Sequence, residues 1–208
     1  MLALRWFAKR QCKISYLNMW LSNDNPALQI ENLQVDSFPH LRIPSNIRLE
    51  RFKPLLENDI GYKVRNIYVE GGQNMEVIEQ LCIYTRNVKQ LTLRYSDTWL
   101  TRNIFKNWKL DEIFFGSNIT ADLMLLIAQT CSELKSIKLD PYTVDDAVVM
   151  TVAQHCPKLE TLHLTSRNIT WSSLLALSER GLPLIELKLP YIPNIPDRDI
   201  ARRCCHAF

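Results

Sequence analysis

The sequence predicts an α/β fold, a curved solenoid with parallel strands on its concave face and helices on its convex face, and three observations predict it. First, one apolar triplet recurs at Val64/Ile67/Val69, Val88/Leu91/Leu93, Leu110/Ile113/Phe115, Leu134/Ile137/Leu139, Leu159/Leu162/Leu164 and Leu184/Leu187/Leu189, at spacings of 24, 22, 24, 25 and 25 residues. Second, apolar residues at helical spacing lie between the triplets, as in Leu123, Ile127 and Ala128 or Val149, Val152 and Ala153. Third, the helical runs begin and end alike. Thr120, Thr143 and Thr170 stand where a hydroxyl would cap the first helix amides, and Ala128-Gln129-Thr130-Cys131 is echoed by Ala153-Gln154-His155-Cys156. A strand–turn–helix unit cannot bury both its apolar faces alone, so its neighbours must stack upon it, and about six to seven units are expected.

The stretch Cys156-Pro157-Lys158-Leu159-Glu160-Thr161-Leu162-His163-Leu164, followed by Ile169-Thr170, Leu174 and Leu177, resembles the cysteine-containing subfamily of leucine-rich repeats. Cys131, Leu134, Ile137 and Leu139 repeat its opening, and Gly181 stands where the following unit would place its cysteine. The resemblance covers roughly residues 64 to 196. That subfamily occurs in F-box substrate adaptors of ubiquitin ligases and in mitotic-exit antagonist proteins, which hold partners rather than transform molecules. The resemblance therefore implies a protein partner on the concave face, no cofactor and, for an F-box adaptor, ubiquitin ligase subunits as further partners. A ligase-independent intracellular scaffold or inhibitor is the alternative.

In chain order, residues 1–27 are expected to form a helical cap over the open end of the solenoid, since Arg5, Lys9, Arg10 and Lys13 alternate with Trp6, Phe7, Ile14, Leu17 and Trp20. Arg5-Trp6 is also similar to the end of an F-box, which would make this segment a truncated remnant. A mitochondrial transit peptide would share the basic amphipathic character but not the many bulky aromatics. Residues 28–196 form the expected solenoid. Its first strand is read at Ile30/Leu33/Val35 and its first helix from Leu49 to Ile60, while Ser37–Pro44 is read as an insertion whose prolines, Pro39 and Pro44, block a ladder. Gly71-Gly72 ends a strand and lets Asn74 cap the helix carrying Val77, Ile78, Leu81 and Cys82. Thr98–Asn107 is the shortest helical region, so Trp99, Phe105 and Trp108 are expected to fill the volume that a longer helix fills elsewhere. Residues 197–208 are expected to be a helix, either a terminal cap or the start of a truncated repeat, because the next triplet would begin beyond Phe208.

With 208 residues, 47% hydrophobic composition and a net charge of +3, the chain can build one elongated core and lacks the concentrated basic surface of a nucleic-acid binder. No apolar run is long enough to span a bilayer as a helix. Cys131 and Cys156 occupy equivalent inward positions, where thiols act as small hydrophobes, so a reducing cytoplasmic or nuclear compartment is expected. Asn118-Ile119-Thr120 and Asn168-Ile169-Thr170 match a glycosylation pattern, but both sit where a turn and a helix cap are wanted anyway. His40, His155, His163 and His206 fall in no catalytic signature, and Cys204-Cys205-His206 are too close together for all three to ligate one metal ion. Neither an enzyme nor a metal site is expected.

Strand alternation then places a binding surface. Residues between the last two apolar positions of each triplet, Tyr68, Thr92, Phe114, Lys138, His163 and Lys188, should form one outward column. Asn66, Gln90, Glu112, Ser136, Thr161 and Glu186 form a second, and Glu70, Arg94, Gly116, Asp140, Thr165 and Pro190 follow on the far side. Tyr68, Arg94 and Phe114 are of the types that anchor protein interfaces, and with Thr92, Lys138, His163 and Lys188 they make up the expected partner-binding set.

Overall fold

In the computed structural model of the chain, the residues described are 14–16, 19–20, 35–37, 39–43, 53–57, 60–71, 75–94, 105–116, 119–140 and 144–189. Each apolar triplet places its last two residues on one side of an extended segment, and the segments are strands: β5 (Asn66–Val69), β6 (Gln90–Leu93), β7 (Glu112–Phe115), β8 (Ser136–Leu139), β9 (Thr161–Leu164) and β10 (Glu186–Lys188). Before them come β1 (Ile14–Tyr16), β2 (Met19–Trp20), β3 (Val35–Ser37) and β4 (His40–Ile43). Eight of these strands form one sheet in the order β10-β9-β8-β7-β6-β5-β4-β2, parallel at every pairing, while β1 and β3 pair separately. The arrangement is a solenoid-like α/β stack in which each strand lies beside the next in sequence along most of the sheet.

The register is uniform. Ile67, Leu91, Ile113, Ile137, Leu162 and Leu187 align across the sheet, and their side chains pack against the helical layer. Just before each strand one carbonyl accepts two successive N–H groups from the following unit. Arg65 O takes those of Lys89 and Gln90 at 2.7 and 3.0 Å, Asp111 O those of Lys135 and Ser136 at 2.8 and 3.0 Å, and Glu160 O those of Ile185 and Glu186 at 2.7 and 3.0 Å. This staircase sets the step from one unit to the next. The ion pairs Lys89–Asp111 and Lys135–Glu160, each at 3.2 Å, follow the same rim and add little beyond it, being exposed.

Two expectations about the first third of the chain need correction. The strand that joins β5 is β4, inside the stretch read as an insertion, with Leu41 and Ile43 buried opposite Ile67 and Val69. Pro39 does not block it, because this residue stands before the strand and contributes only its carbonyl, which accepts from Arg65 and Asn66 at 3.2 and 2.7 Å. Of the triplet read at Ile30/Leu33/Val35, the described part is Val35, which lies in β3 and pairs with β1 outside the main sheet. Where a helical cap was expected over residues 1–27, the described residues Ile14–Tyr16 and Met19–Trp20 are extended, and β2 continues the main sheet against β4. Adding a strand satisfies the backbone groups that β4 would otherwise present at an edge. The helix expected from Leu49 to Ile60 appears as α1 (Lys53–Glu57) and α2 (Ile60–Lys63). The expected helix at 197–208, with Cys204, Cys205 and His206, lies outside the described residues.

The later helices are α3 (Met75–Tyr84), α4 (Ala121–Thr130), α5 (Asp146–His155) and α6 (Trp171–Glu179). Thr120 caps α4 by accepting from Leu123 N at 3.2 Å, and Thr170 caps α6 by accepting from Ser172 N at 3.2 Å. For α5 the cap is Asp145 rather than Thr143: its Oδ1 accepts from Val148 N at 3.1 Å, a carboxylate being well placed near the positive end of the helix. Gly61 permits a close approach between units, because a Cβ there would lie 2.4 Å from Leu56 O and 2.5 Å from Tyr84 O. Asn74 and Trp99 lie outside the described residues. Phe105 and Trp108 do fill the core of the short unit, and Trp108 Nε1 donates to Thr85 O at 2.6 Å. Thr85 itself closes α3, donating its hydroxyl to Leu81 O at 2.6 Å from a fully buried position.

Cys131 and Cys156 end α4 and α5, their N–H groups donating to Ile127 O and Val152 O at 2.7 and 3.0 Å, and with Cys82 they are buried free thiols. Burial lifts Cys82 and Cys156 from the ordinary value of 9.0 to about 12, and Cys131 to about 11. The folded state therefore favours the neutral thiol. Stability from this source is fully present below pH 9.0, the value regained on unfolding, and is lost as pH rises toward 11–12. Alkylation by a small reagent at neutral pH is expected to be slow in native protein and rapid in denaturant, and the urea midpoint is expected to fall across that alkaline range. Equal alkylation rates in the two states would show these thiols to be accessible.

Candidate functional site

One side of the main sheet packs on the helices, and its other side carries the side chains between the apolar positions. Tyr68, Thr92, Phe114, Lys138, His163 and Lys188 occupy matching register positions on β5 to β10, as strand alternation requires. All but the exposed Lys188 are half-buried. The column also contains a residue that the sequence reading missed: Arg42, aligned with Tyr68 on β4. The signal was the spacing of Leu41 and Ile43, hidden by the flanking prolines.

Tyr68 is held from both sides. The Arg42 guanidinium lies 4.8 Å from the centre of the Tyr68 ring and pairs with Glu70, two residues beyond Tyr68. From the next unit, Arg94 Nη1 donates to the Tyr68 hydroxyl at 3.3 Å. Tyr68 and Arg94 thus meet, while Phe114 lies two strands from Tyr68 with Thr92 between them. Around Phe114 is a shallow hollow of about 270 Å³ whose polar lining is Gln90, Thr92, Glu112, Ser136 and Lys138.

Toward β10 the face is self-paired. Lys188 Nζ lies 2.7 Å from Glu186 Oε1, and His163 Nε2 lies 3.2 Å from Glu186 Oε2. The hydrogen bond from Lys188, and secondarily that from His163, holds the Glu186 carboxyl below its ordinary range. Lys188 and His163 therefore converge on an acid rather than on the aromatic part of the face. On the far rim, Thr165 Oγ1 and Asp140 Oδ1 are 3.0 Å apart, while Pro190 lies outside the described residues.

Among the described residues, no three His, Cys, Asp or Glu side chains converge as metal ligands, and no helix is long and apolar enough to cross a membrane. The sequence matches no model of a known protein family and no characterised protein.

Proposed function

We propose that this chain is a protein-binding module of the cysteine-containing leucine-rich repeat type, whose open sheet face holds a partner, and that it is the substrate-recognition part of an F-box type ubiquitin ligase adaptor in the cytoplasm or nucleus. The observation that carries the binding reading is Tyr68 fixed between Arg42 and Arg94, half-exposed on a uniform parallel register. An aromatic ring already ordered before binding loses little conformational freedom on contact, which is how interface anchors gain affinity. The repeated Cys-x-x-Leu-x-x-Leu/Ile-x-Leu motif supports the family, and the family supports the ligase role.

A partner captured by the full chain is expected to lose about 2 kcal/mol or more of binding free energy with Tyr68→Ala or Phe114→Ala, measured by calorimetry. Glu79→Ala and Gln154→Ala, at exposed helix positions, are expected to leave binding unchanged. Unchanged binding in both aromatic variants with loss in a helix variant would place the site on the helical side. Retention of the ligase adaptor subunit in a pull-down tests the ligase role separately. Binding at the sheet face without that retention would make the protein a ligase-independent scaffold or inhibitor.

A further inference from the structure

Two aromatic rings on the open face have a carboxylate two residues away, after the ring at Tyr68 and before it at Phe114, and only the first is covered by a cation from the preceding strand. Around Tyr68, the register partner on the preceding strand is Arg42, whose guanidinium lies over the ring and pairs with Glu70, two residues after Tyr68 and just past the end of β5. Around Phe114, the register partner on the preceding strand is Thr92, and the carboxylate lies two residues before the ring, at Glu112, since the position that Glu70 holds after Tyr68 is Gly116 here. The threonine is too short to cover the ring. In its place is the hollow of about 270 Å³, and among the described residues Glu112 has no ion-pair partner.

We infer that this hollow is a receptor for an arginine side chain of the protein partner, with the guanidinium stacked on Phe114 and paired with Glu112. The inference rests on the binding-face reading above and names what that face selects. Guanidinium suits the place better than ammonium, because its plane stacks on a ring while its edge meets a carboxylate in a fork. Gln90 and Ser136 line the same hollow, and an amide oxygen and a hydroxyl are groups that can accept the remaining N–H groups. Lys138, on the opposite side of Phe114, belongs to the wall; its long stem lets the ammonium swing into solvent, and an anion bound to it would have no use for the ring.

Randomised short peptides selected on the immobilised full chain test the assignment. Enriched peptides are expected to share an arginine whose replacement by citrulline, its neutral isostere, weakens binding about tenfold or more. Glu112→Gln should produce a similar loss and make the citrulline change nearly silent, whereas Lys138→Met should leave the arginine peptides bound. Thr92→Arg, which supplies a cation from the position equivalent to Arg42, should block them. A second measurement needs no peptide: Thr92→Arg should melt at a higher temperature than Thr92→Gln, and Glu112→Gln should remove that difference. Equal melting of the two Thr92 variants would overturn the receptor. So would selected peptides that lack a basic residue, or acidic peptides lost on Lys138→Met; either kind, if blocked by Thr92→Arg, would keep the sheet face as a binding surface. Binding indifferent to Thr92→Arg, Tyr68→Ala and Phe114→Ala alike would defeat the binding-face reading as well.

Discussion

Trp108→Ala is expected to cost about 3–5 kcal/mol of unfolding free energy, a large part of what a domain of this size possesses. Trp108 is 1% exposed and donates its N–H to Thr85 O, the carbonyl of a buried residue. The indole thus ties its unit to the preceding one, while the Trp108 backbone carbonyl, which faces the Cys131 sulfur at 4.0 Å, meets the following unit and is kept in both the Ala and the Phe variant. Trp108→Phe separates volume from hydrogen bonding. It keeps most of the packing but leaves Thr85 O without its indole donor, at an expected cost of about 1–3 kcal/mol. Urea denaturation followed by far-ultraviolet circular dichroism reads both. A Phe variant as stable as wild type would mean that the hydrogen bond contributes nothing. An Ala variant within about 1 kcal/mol of wild type would fall below the range for a buried aromatic and place the indole outside the core.

Leu162→Ala is the second large effect, at about 2–5 kcal/mol. Leu162 is 0% exposed and aligned between Ile137 and Leu187, so the cavity left by its side chain would be shared by neighbouring units that cannot both collapse into it. Its strand neighbour Thr161 points to the opposite side of the sheet and is half-buried there. Thr161→Ala is therefore expected to cost well under half as much. If thermal denaturation ranked the two in the reverse order, the strand would face the other way and every column assigned on the open face would be misplaced.

How much of this was legible in the sequence follows from where the information lies. From Val64 to Leu189, strand position depends on apolar spacing within one unit, and the stacking register repeats it, so Tyr68, Thr92, Phe114, Lys138, His163 and Lys188 could be aligned without coordinates. The start of the chain differed because Ile30/Leu33/Val35 and Leu41/Ile43 fit the strand template almost equally well, and only pairing between distant segments chooses between them. Asp145 displaced Thr143 as a cap for a local reason: a carboxylate and a hydroxyl stood near the same helix start, and spacing alone could not rank them. The hollow beside Phe114 was not legible at all. It depends on what Thr92 leaves unfilled, and that is a property of side chains on adjacent strands.

The uniform parallel register also makes the open face a ruler. Its columns advance by one strand separation, about 4.8 Å per step. An extended peptide laid along a column presents same-side residues about 6.6–6.8 Å apart, so its side chains drift out of phase with Arg42, Tyr68, Thr92 and Phe114 within a few steps. A helix laid the same way repeats about every 5.4 Å and stays in phase longer. A partner that reads several steps at once is thereby favoured in helical form, while an extended one has to cross the columns and be read at one or two strands.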